Sequence, residues 1–269
     1  MTRAFVDWLT LREGADAAAR APELVEPLRQ RLAERSRLVI HDLGSGTGSM
    51  ARWLAPRLPG PQSWVLYDRD ADLLARATAE PVAAADGTPV TVGTRQRDIT
   101  RLTADDLDGA SLITASALLD MLTADEVERV VATCVDAGCP VLLTISVIGR
   151  VELTPPDPLD ATVAEAFNAH QRRTTGGRTL LGPDAVDACV EAFRRRGVDV
   201  VVRSSPWRLG ADRSDLVDEW LRGWLGAACE QRPELTDRAA SYAARRLADA
   251  AAGRLGVVVG HHDLLAGCT

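Results

Sequence analysis

Lysine is absent from this 269-residue chain, so all 31 basic residues are arginine. That absence excludes Schiff-base catalysis, pyridoxal phosphate attachment and any phosphate loop that depends on a lysine. The five cysteines are odd in number, scattered, and include no C-x-x-C pair. Disulfide scaffolds and zinc ribbons are therefore disfavoured. Four histidines spread through different segments give no metal-ligand pattern. No apolar run approaches the ~18 residues of a membrane helix. The opening MTRAFVDWLTLRE lacks the apolar core of a secretory signal. The expected location is cytoplasmic, with no membrane partner. A formal net charge of −7 disfavours a nucleic-acid backbone as the main partner and leaves room only for a local basic patch.

What is present supports a full core. Hydrophobic residues make up 46% of the chain, and its length suits one large α/β domain or one domain with a sizeable insertion. Arginine, alanine and leucine in place of lysine and isoleucine match a GC-rich bacterial genome.

Apolar spacing predicts helices over 4–35, with Arg12, Asp16 and Arg20 recurring every four residues. The plain reading of that series is a solvated face with (i, i+4) pairs. The sharper reading is a lid over a ligand. Short apolar runs then alternate with helical patterns. Strands are expected over 38–42, 64–67, 90–97, 112–115 and 140–146, with helices over 49–58, 71–79 and 124–137. Asp70 and Thr123 are the natural caps of the last two helices. The alternation calls for a parallel, doubly wound sheet. The regularity breaks over 149–181, which carries Pro155, Pro156, Pro158 and a Gly176-Gly177 hinge. A stretch of that length is a lid candidate. A helix over 183–196, a strand over 198–203, two helices and a last strand over 255–259 complete the chain.

The most informative stretch is VIHDLGSGTGSMARWLA, Val39 to Ala55. An apolar strand ends in Asp42, and Gly44, Gly46 and Gly48 alternate before a helical pattern. Strand, glycine turn and helix present free backbone N–H groups to a nucleotide-like ligand. A dinucleotide fingerprint would place glycine or alanine where Ser49 stands. The acid at Asp42 would repel a pyrophosphate, and suits a ligand with a positive group near the turn. S-adenosylmethionine has two, an ammonium and a sulfonium.

HDLGSGTGS resembles the first motif of class I S-adenosylmethionine-dependent methyltransferases, D/E-x-G-x-G-x-G. The resemblance runs over residues 38–146 and implies a Rossmann-like seven-stranded sheet of order 3-2-1-4-5-7-6, with added N-terminal helices and a helical lid. It implies units of 1–36, an N-terminal helical lid, and 37–269, the methyltransferase domain with its insertion at about 149–181. The turn, with Asp42, Gly44, Ser45, Gly46 and Gly48, would hold S-adenosylmethionine. Asp68, at the end of the second strand, would accept the ribose hydroxyls. Arg69 would lie against the adenine. Asp98 would take the adenine amino group and the Ile99 N–H a ring nitrogen. Ser116 would border the transferred methyl, and Arg20 would reach the cofactor's carboxylate. WLTLREGADAAAR and VGHHDLLA also look like segments of actinobacterial members.

The acceptor is less legible, because methyl transfer needs alignment and desolvation more than catalytic groups. The segment ITASALLDML lacks the N/D-P-P-Y/F of exocyclic-amine nucleic-acid enzymes and the Pro-Cys of cytosine C5 enzymes. Asp120, just past Ser116, and His170, in the insertion, are the candidate acid–base groups. The plain readings are a capping acid and an exposed loop histidine. His41, His261 and His262 read as structural. Trp207, Trp220 and Trp224 read first as core, and second as an aromatic wall for a flat acceptor. The runs Arg172-Arg173 and Arg194 to Arg196 read as exposed helix ends. The expected function is methyl transfer to an oxygen or nitrogen of a small bacterial metabolite, with a homodimer open. The rivals are an RNA or protein methyltransferase and a non-catalytic cofactor-binding subunit or sensor.

Overall fold

Apolar runs with no polar alternation must be covered on both faces, and here they lie side by side as parallel strands with helices above and below. The computed structural model describes residues 3–268. Residues 1, 2 and 269, at the ends of the expected units, lie outside the described residues. The chain starts with α1 (Arg3–Ala19) and α2 (Val25–Leu32). The alternation follows as β1 (Leu38–Leu43), α3 (Ser49–Leu54), β2 (Gln62–Asp68), α4 (Ala71–Ala77) and β3 (Thr91–Gln96). Next come β4 (Leu112–Ser116), α5 (Ala124–Asp136) and β5 (Val141–Thr154). The insertion supplies α6 (Asp160–Gln171) and a hairpin of β6 (Thr174–Thr175) and β7 (Arg178–Thr179). The remainder is α7 (Ala185–Arg195), β8 (Val200–Ser204), β9 (Trp207–Leu209), α8 (Ser214–Gln231), α9 (Thr236–Ala251) and β10 (Gly256–Ala266).

The sheet runs β3-β2-β1-β4-β5-β10-β8, with β9 added beside β10. β10 is antiparallel to both neighbours, and the other pairs up to β5 are parallel. This is the expected Rossmann-like order, with β8 and β10 as the sixth and seventh strands. Both expected caps form. Thr123 and Glu126 make a reciprocal capping box on α5, and the Asp70 carboxylate accepts the Asp72 and Leu73 N–H groups on α4.

Two boundaries differ from expectation. β5 continues through Gly149 to Thr154, and β10 extends to Ala266 instead of stopping at 259. The two strands form one long antiparallel ladder, from Thr154 opposite Gly256 to Val141 opposite Ala266. The insertion thus starts as sheet. His261 and His262 do not follow the last strand but lie inside it.

Three apolar cores result. One lies under α5 and α7, and a second under α2, α3 and α4. The third joins α1, α6, α8 and α9 to β9 and the far ends of β5 and β10. Trp220 and Trp224 stack in it with centroids 5.1 Å apart, in the core role. Asp160 anchors the insertion, pairing with Arg246 and accepting the Tyr242 hydroxyl at 2.6 Å.

Asp263 of β10 ties α1 to this frame. It is fully buried and accepts the N–H of Ala21 at 2.8 Å, the N–H of Ile145 at 2.7 Å and the Ser205 hydroxyl at 2.6 Å. Ile145 has φ 56°, a conformation a β-branched residue avoids unless its surroundings hold it. Asp263→Ala leaves three buried donors unpaired, at about 1–3 kcal/mol each. A clearly lower urea midpoint is expected, and an unchanged midpoint would contradict this role for Asp263.

Candidate cofactor site and cleft

β1 delivers Asp42 to the carboxyl edge of the sheet, and the chain turns through Gly44–Gly48 into α3. Gly44 has φ 67°, and a Cβ there would come within 2.9 Å of Leu118 Cδ1. Gly48 has φ 83°, with Ala77 Cβ 3.1 Å from such a carbon. The turn is pinned to β2, because Ser45 N–H donates to the Tyr67 carbonyl and Gly46 N–H to Asp68 Oδ2, both at 2.9 Å. Asp68 Oδ1 accepts the Asp70 N–H at 3.0 Å. Each carboxylate oxygen keeps a lone pair for a further donor.

One cleft of about 810 Å³ opens over this edge. Asp42, Gly44, Ser45, Gly46 and Asp68 form one end of its lining. Arg69, Asp98, Ile99 and Ser116 also line it. Gly48 and Arg20 lie outside the lining, next to residues that form it. Asp98 is half exposed and holds the Thr100 N–H at 3.0 Å and hydroxyl at 2.7 Å. The Thr100 hydroxyl lowers its pKa first, with the Arg101 guanidinium adding to the effect.

Asp42 is 1% exposed. Its Oδ1 accepts the Thr114 hydroxyl at 2.7 Å, while Oδ2 has no partner. Burial pushes this carboxyl up to about 7, against the opposing Thr114 hydrogen bond and Arg20 charge. Arg20 is also buried. Its Nη2 donates to Ser49 Oγ at 3.2 Å and Ser116 Oγ at 3.0 Å, its Nε to Thr144 Oγ1 at 3.3 Å, and its Nη1 has no partner. Of eight buried side-chain polar atoms without a partner among the described residues, three are Asp42 Oδ2, Ser45 Oγ and Arg20 Nη1. Buried polar groups are rarely left unpaired, so these three are candidates for contact with a ligand.

The face carrying Arg12, Asp16 and Arg20 is the inward face of α1, which corrects the plain solvated-face reading. Helical spacing alone does not say which face is buried, and here Arg20 reaches β4, β5 and α3. Phe5, Trp8, Leu9, Arg12 and Asp16 line the cleft. Leu9 Cδ1 lies over Gly46, 3.7 Å from where a Cβ would stand. Glu13 pairs with Arg52 of α3 at 2.6 Å. From the insertion, Arg178 reaches Glu126 at 2.6 Å and the Met121 carbonyl at 3.0 Å. The sequence signal for α1 was the four-residue recurrence. No local signal pointed to Met121, Arg129 or Arg178 in the lining.

Asp120 sits in the short turn after β4, between the lining residues Leu118 and Met121, and is not itself part of the lining. Burial raises its pKa, with the charges of Arg12 and Arg173 opposing. His170 is a correction: it does not line the cleft. α6 turns it toward α8, where Nε2 lies 3.0 Å from Glu230 Oε2, while Arg173 Nη1 is 3.2 Å from Nδ1. His261 is buried against Trp207, and burial takes its pKa down to about 3. His41 is a core residue, its Nδ1 3.2 Å from the Tyr67 hydroxyl. Arg195 and Arg196 end α7 and pair with Glu128. Among the described residues no cluster of His, Cys, Asp and Glu could hold a metal ion, and no helix is long and apolar enough to cross a membrane.

A glycine turn at the edge of this sheet, with an acid before it and acids closing the next two strands, is an arrangement that suits a nucleoside ligand. Residues 40–139 match the family model of a methyltransferase domain. The match spans 100 of the chain's 269 residues, from β1 to just before β5, and includes the glycine turn, Asp68 and Asp98. No curated protein sequence matches the chain. Similar solved structures include a methyltransferase from Geobacter sulfurreducens in complex with S-adenosyl-L-homocysteine, 20% identical, covering 97% of each chain with a TM-score of 0.46. One from Thiobacillus denitrificans, with the same compound, is 16% identical and covers 98% of each chain at a TM-score of 0.46. A cyclopropane synthase from Mycobacterium tuberculosis is 15% identical over 91% of this chain and 83% of its own, with a TM-score of 0.48.

The raised Asp42 pKa has a signed consequence. The folded protein holds this proton up to about pH 7, the unfolded chain only to about 4. The group's contribution to stability is therefore full below pH 4 and is lost as pH rises through 7. In the cofactor-free protein, Asp42→Asn should unfold at a higher urea concentration than wild type at pH 8, with the gap closing by pH 4. A gap independent of pH would contradict the burial argument.

Proposed function

We propose that the chain is a class I S-adenosylmethionine-dependent methyltransferase that transfers the methyl group to an oxygen or nitrogen of a small molecule. The unpaired Asp42 Oδ2 and Arg20 Nη1 beside the glycine turn carry the cofactor half of this reading. They offer an acceptor for an ammonium and a donor for a carboxylate, the two ends of an α-amino acid. Asp68 holds the ribose hydroxyls through its remaining lone pairs. Asp98 and the Ile99 N–H hold the adenine edge, with Arg69 against its face. Gly44, Ser45, Gly46 and Gly48 supply the close backbone approach. When bound, S-adenosylmethionine supplies an electrophilic methyl on a sulfonium that is already a good leaving group.

The chain's own residues then have an alignment task. Ser116 and Leu118 border the reacting position, and α1 and the β6–β7 hairpin exclude water. Asp120 takes the proton of the acceptor hydroxyl or amine as the new bond to the methyl carbon forms. Burial raises its pKa, which makes it a stronger base than an exposed carboxylate. His170, tied to Glu230, has no part in this account. Residues up to 36 and the 149–181 insertion act as the two lids.

A small acceptor is favoured over RNA by charge. The cleft lining holds six arginines against five carboxylates, and the chain is net −7. Arg12 and Arg178 are already paired with Asp16 and Glu126. With no transmembrane helix among the described residues, the cytoplasm is the proposed location.

Two measurements test this reading. Asp68→Ala should abolish calorimetric binding of S-adenosylhomocysteine, and Asp68→Asn, which keeps an acceptor for the Gly46 N–H, should weaken it strongly in a protein that still unfolds cooperatively; retained affinity in both would remove Asp68 from the cofactor site. Methyl label from S-adenosylmethionine, offered with fractionated bacterial extract, should enter the low-molecular-mass pool. Label in RNA or protein would overturn the small-molecule assignment.

A further inference from the structure

The cofactor residues occupy one part of the cleft. The rest is walled by α1 and by the turn after β4, and it contains an unusual arginine. Asp16 Oδ2 accepts Arg12 Nε at 3.0 Å, and Asp16 Oδ1 accepts Arg12 Nη2 at 3.2 Å. The same Oδ1 accepts Trp207 Nε1 at 2.9 Å, so the carboxylate is itself fixed. The guanidinium lies 5.0 Å from the Trp207 ring centroid and 5.8 Å from that of Trp8. Trp207 is in turn held against His261, with centroids 5.3 Å apart.

This arrangement uses one edge of the guanidinium fork. The other terminal nitrogen, Nη1, has no hydrogen-bond partner among the described residues, and Arg12 lines the cleft. An arginine locked by a bidentate carboxylate and two indoles has already lost its rotamer entropy, so an anion meeting its free edge gains most of the interaction. Arg12 is not the guanidinium beside the glycine turn. There the buried guanidinium is Arg20, which reaches Ser49 and Ser116. The charge of Arg12 bears on Arg20 as well as on Asp120, beyond β4, and on His261 of β10.

The same region is apolar at its mouth. Phe5 and Met121 are the large hydrophobics exposed among the described residues, at 39% and 50%, and both line this cleft. Apolar side chains left open at a pocket rim point to an apolar ligand body.

Resting on the methyl-transfer reading above, we infer that Arg12 recognises the acceptor, which is a flat apolar molecule bearing a carboxylate-type anion. Arg12 sets specificity and is not a catalytic residue. Its anion lies on the free Nη1 edge, and the apolar body lies toward Phe5 and Met121.

The test uses the whole chain saturated with S-adenosylhomocysteine, with benzoate and benzamide as probes and calorimetry as the readout. Wild type should bind benzoate about tenfold or more tightly than benzamide. Arg12→Gln should remove that difference, with benzamide affinity and S-adenosylhomocysteine affinity unchanged. Arg12→Lys, which keeps the charge but not the fork, should restore part of it and guards against a folding defect in the Gln variant. Equal affinity for the two probes, or no benzoate binding by the loaded wild type, overturns the proposal. Loss of S-adenosylhomocysteine affinity in Arg12→Gln also overturns it, since Arg12 would then serve the cofactor. Failure of wild type to bind S-adenosylhomocysteine at all would instead break the underlying cofactor reading.

Discussion

A carboxylate buried at the end of a central strand is costly unless something positive meets it. Asp42 is in that position, with one oxygen held by Thr114 and the other facing no protein donor. Arg20 presents the mirror problem, a buried guanidinium with one terminal nitrogen unpaired. Neither charge is fully compensated by the chain alone. The glycine turn beside them, Gly44-Ser45-Gly46-Thr47-Gly48, adds no charged side chain. A zwitterionic ligand end, as proposed above, would meet both.

The way α1 is attached follows from the same constraint. A helix carrying Arg12, Asp16 and Arg20 on its inner face would bury unpaired charge unless the sheet edge answered each one. Ser49, Ser116 and Thr144 answer Arg20. Trp207 answers Asp16, and the Asp263 carboxylate takes the first free N–H past the helix end, at Ala21. β9 and the long β5–β10 ladder exist at the right place to supply these partners. The insertion closes from the opposite side through Arg178 on Glu126, a residue already used to cap α5.

Much of this was legible in local sequence. Strand order, the turn and the acids at strand ends are encoded by short apolar runs, glycine spacing and single polar residues. Other features depend on contacts distant in sequence. The recurrence of Arg12, Asp16 and Arg20 is the same whether the face is wet or buried, and only the partners on β4, β5 and β9 decide. The tail GHHDLLA reads as an irregular end because it carries two histidines and an aspartate. Inside β10, His261 packs on Trp207 and Asp263 satisfies three donors, so the polar residues are structural. His170 drew attention as a histidine in a loop-like insertion. The packing of α6 on α8 sets its direction, and no local pattern reports that.

The pairing of Asp42 and Arg20 with an amino-acid end is most directly tested by comparing two ligands that differ only there. S-adenosylhomocysteine carries the ammonium and carboxylate, and 5′-methylthioadenosine lacks both. Calorimetry on the wild-type chain at pH 8 should show S-adenosylhomocysteine binding about a hundredfold or more tightly, the yield of two charge-assisted contacts at about 1.5–3 kcal/mol each. The gap should narrow sharply in Asp42→Asn. Equal affinities in the wild type would contradict the account.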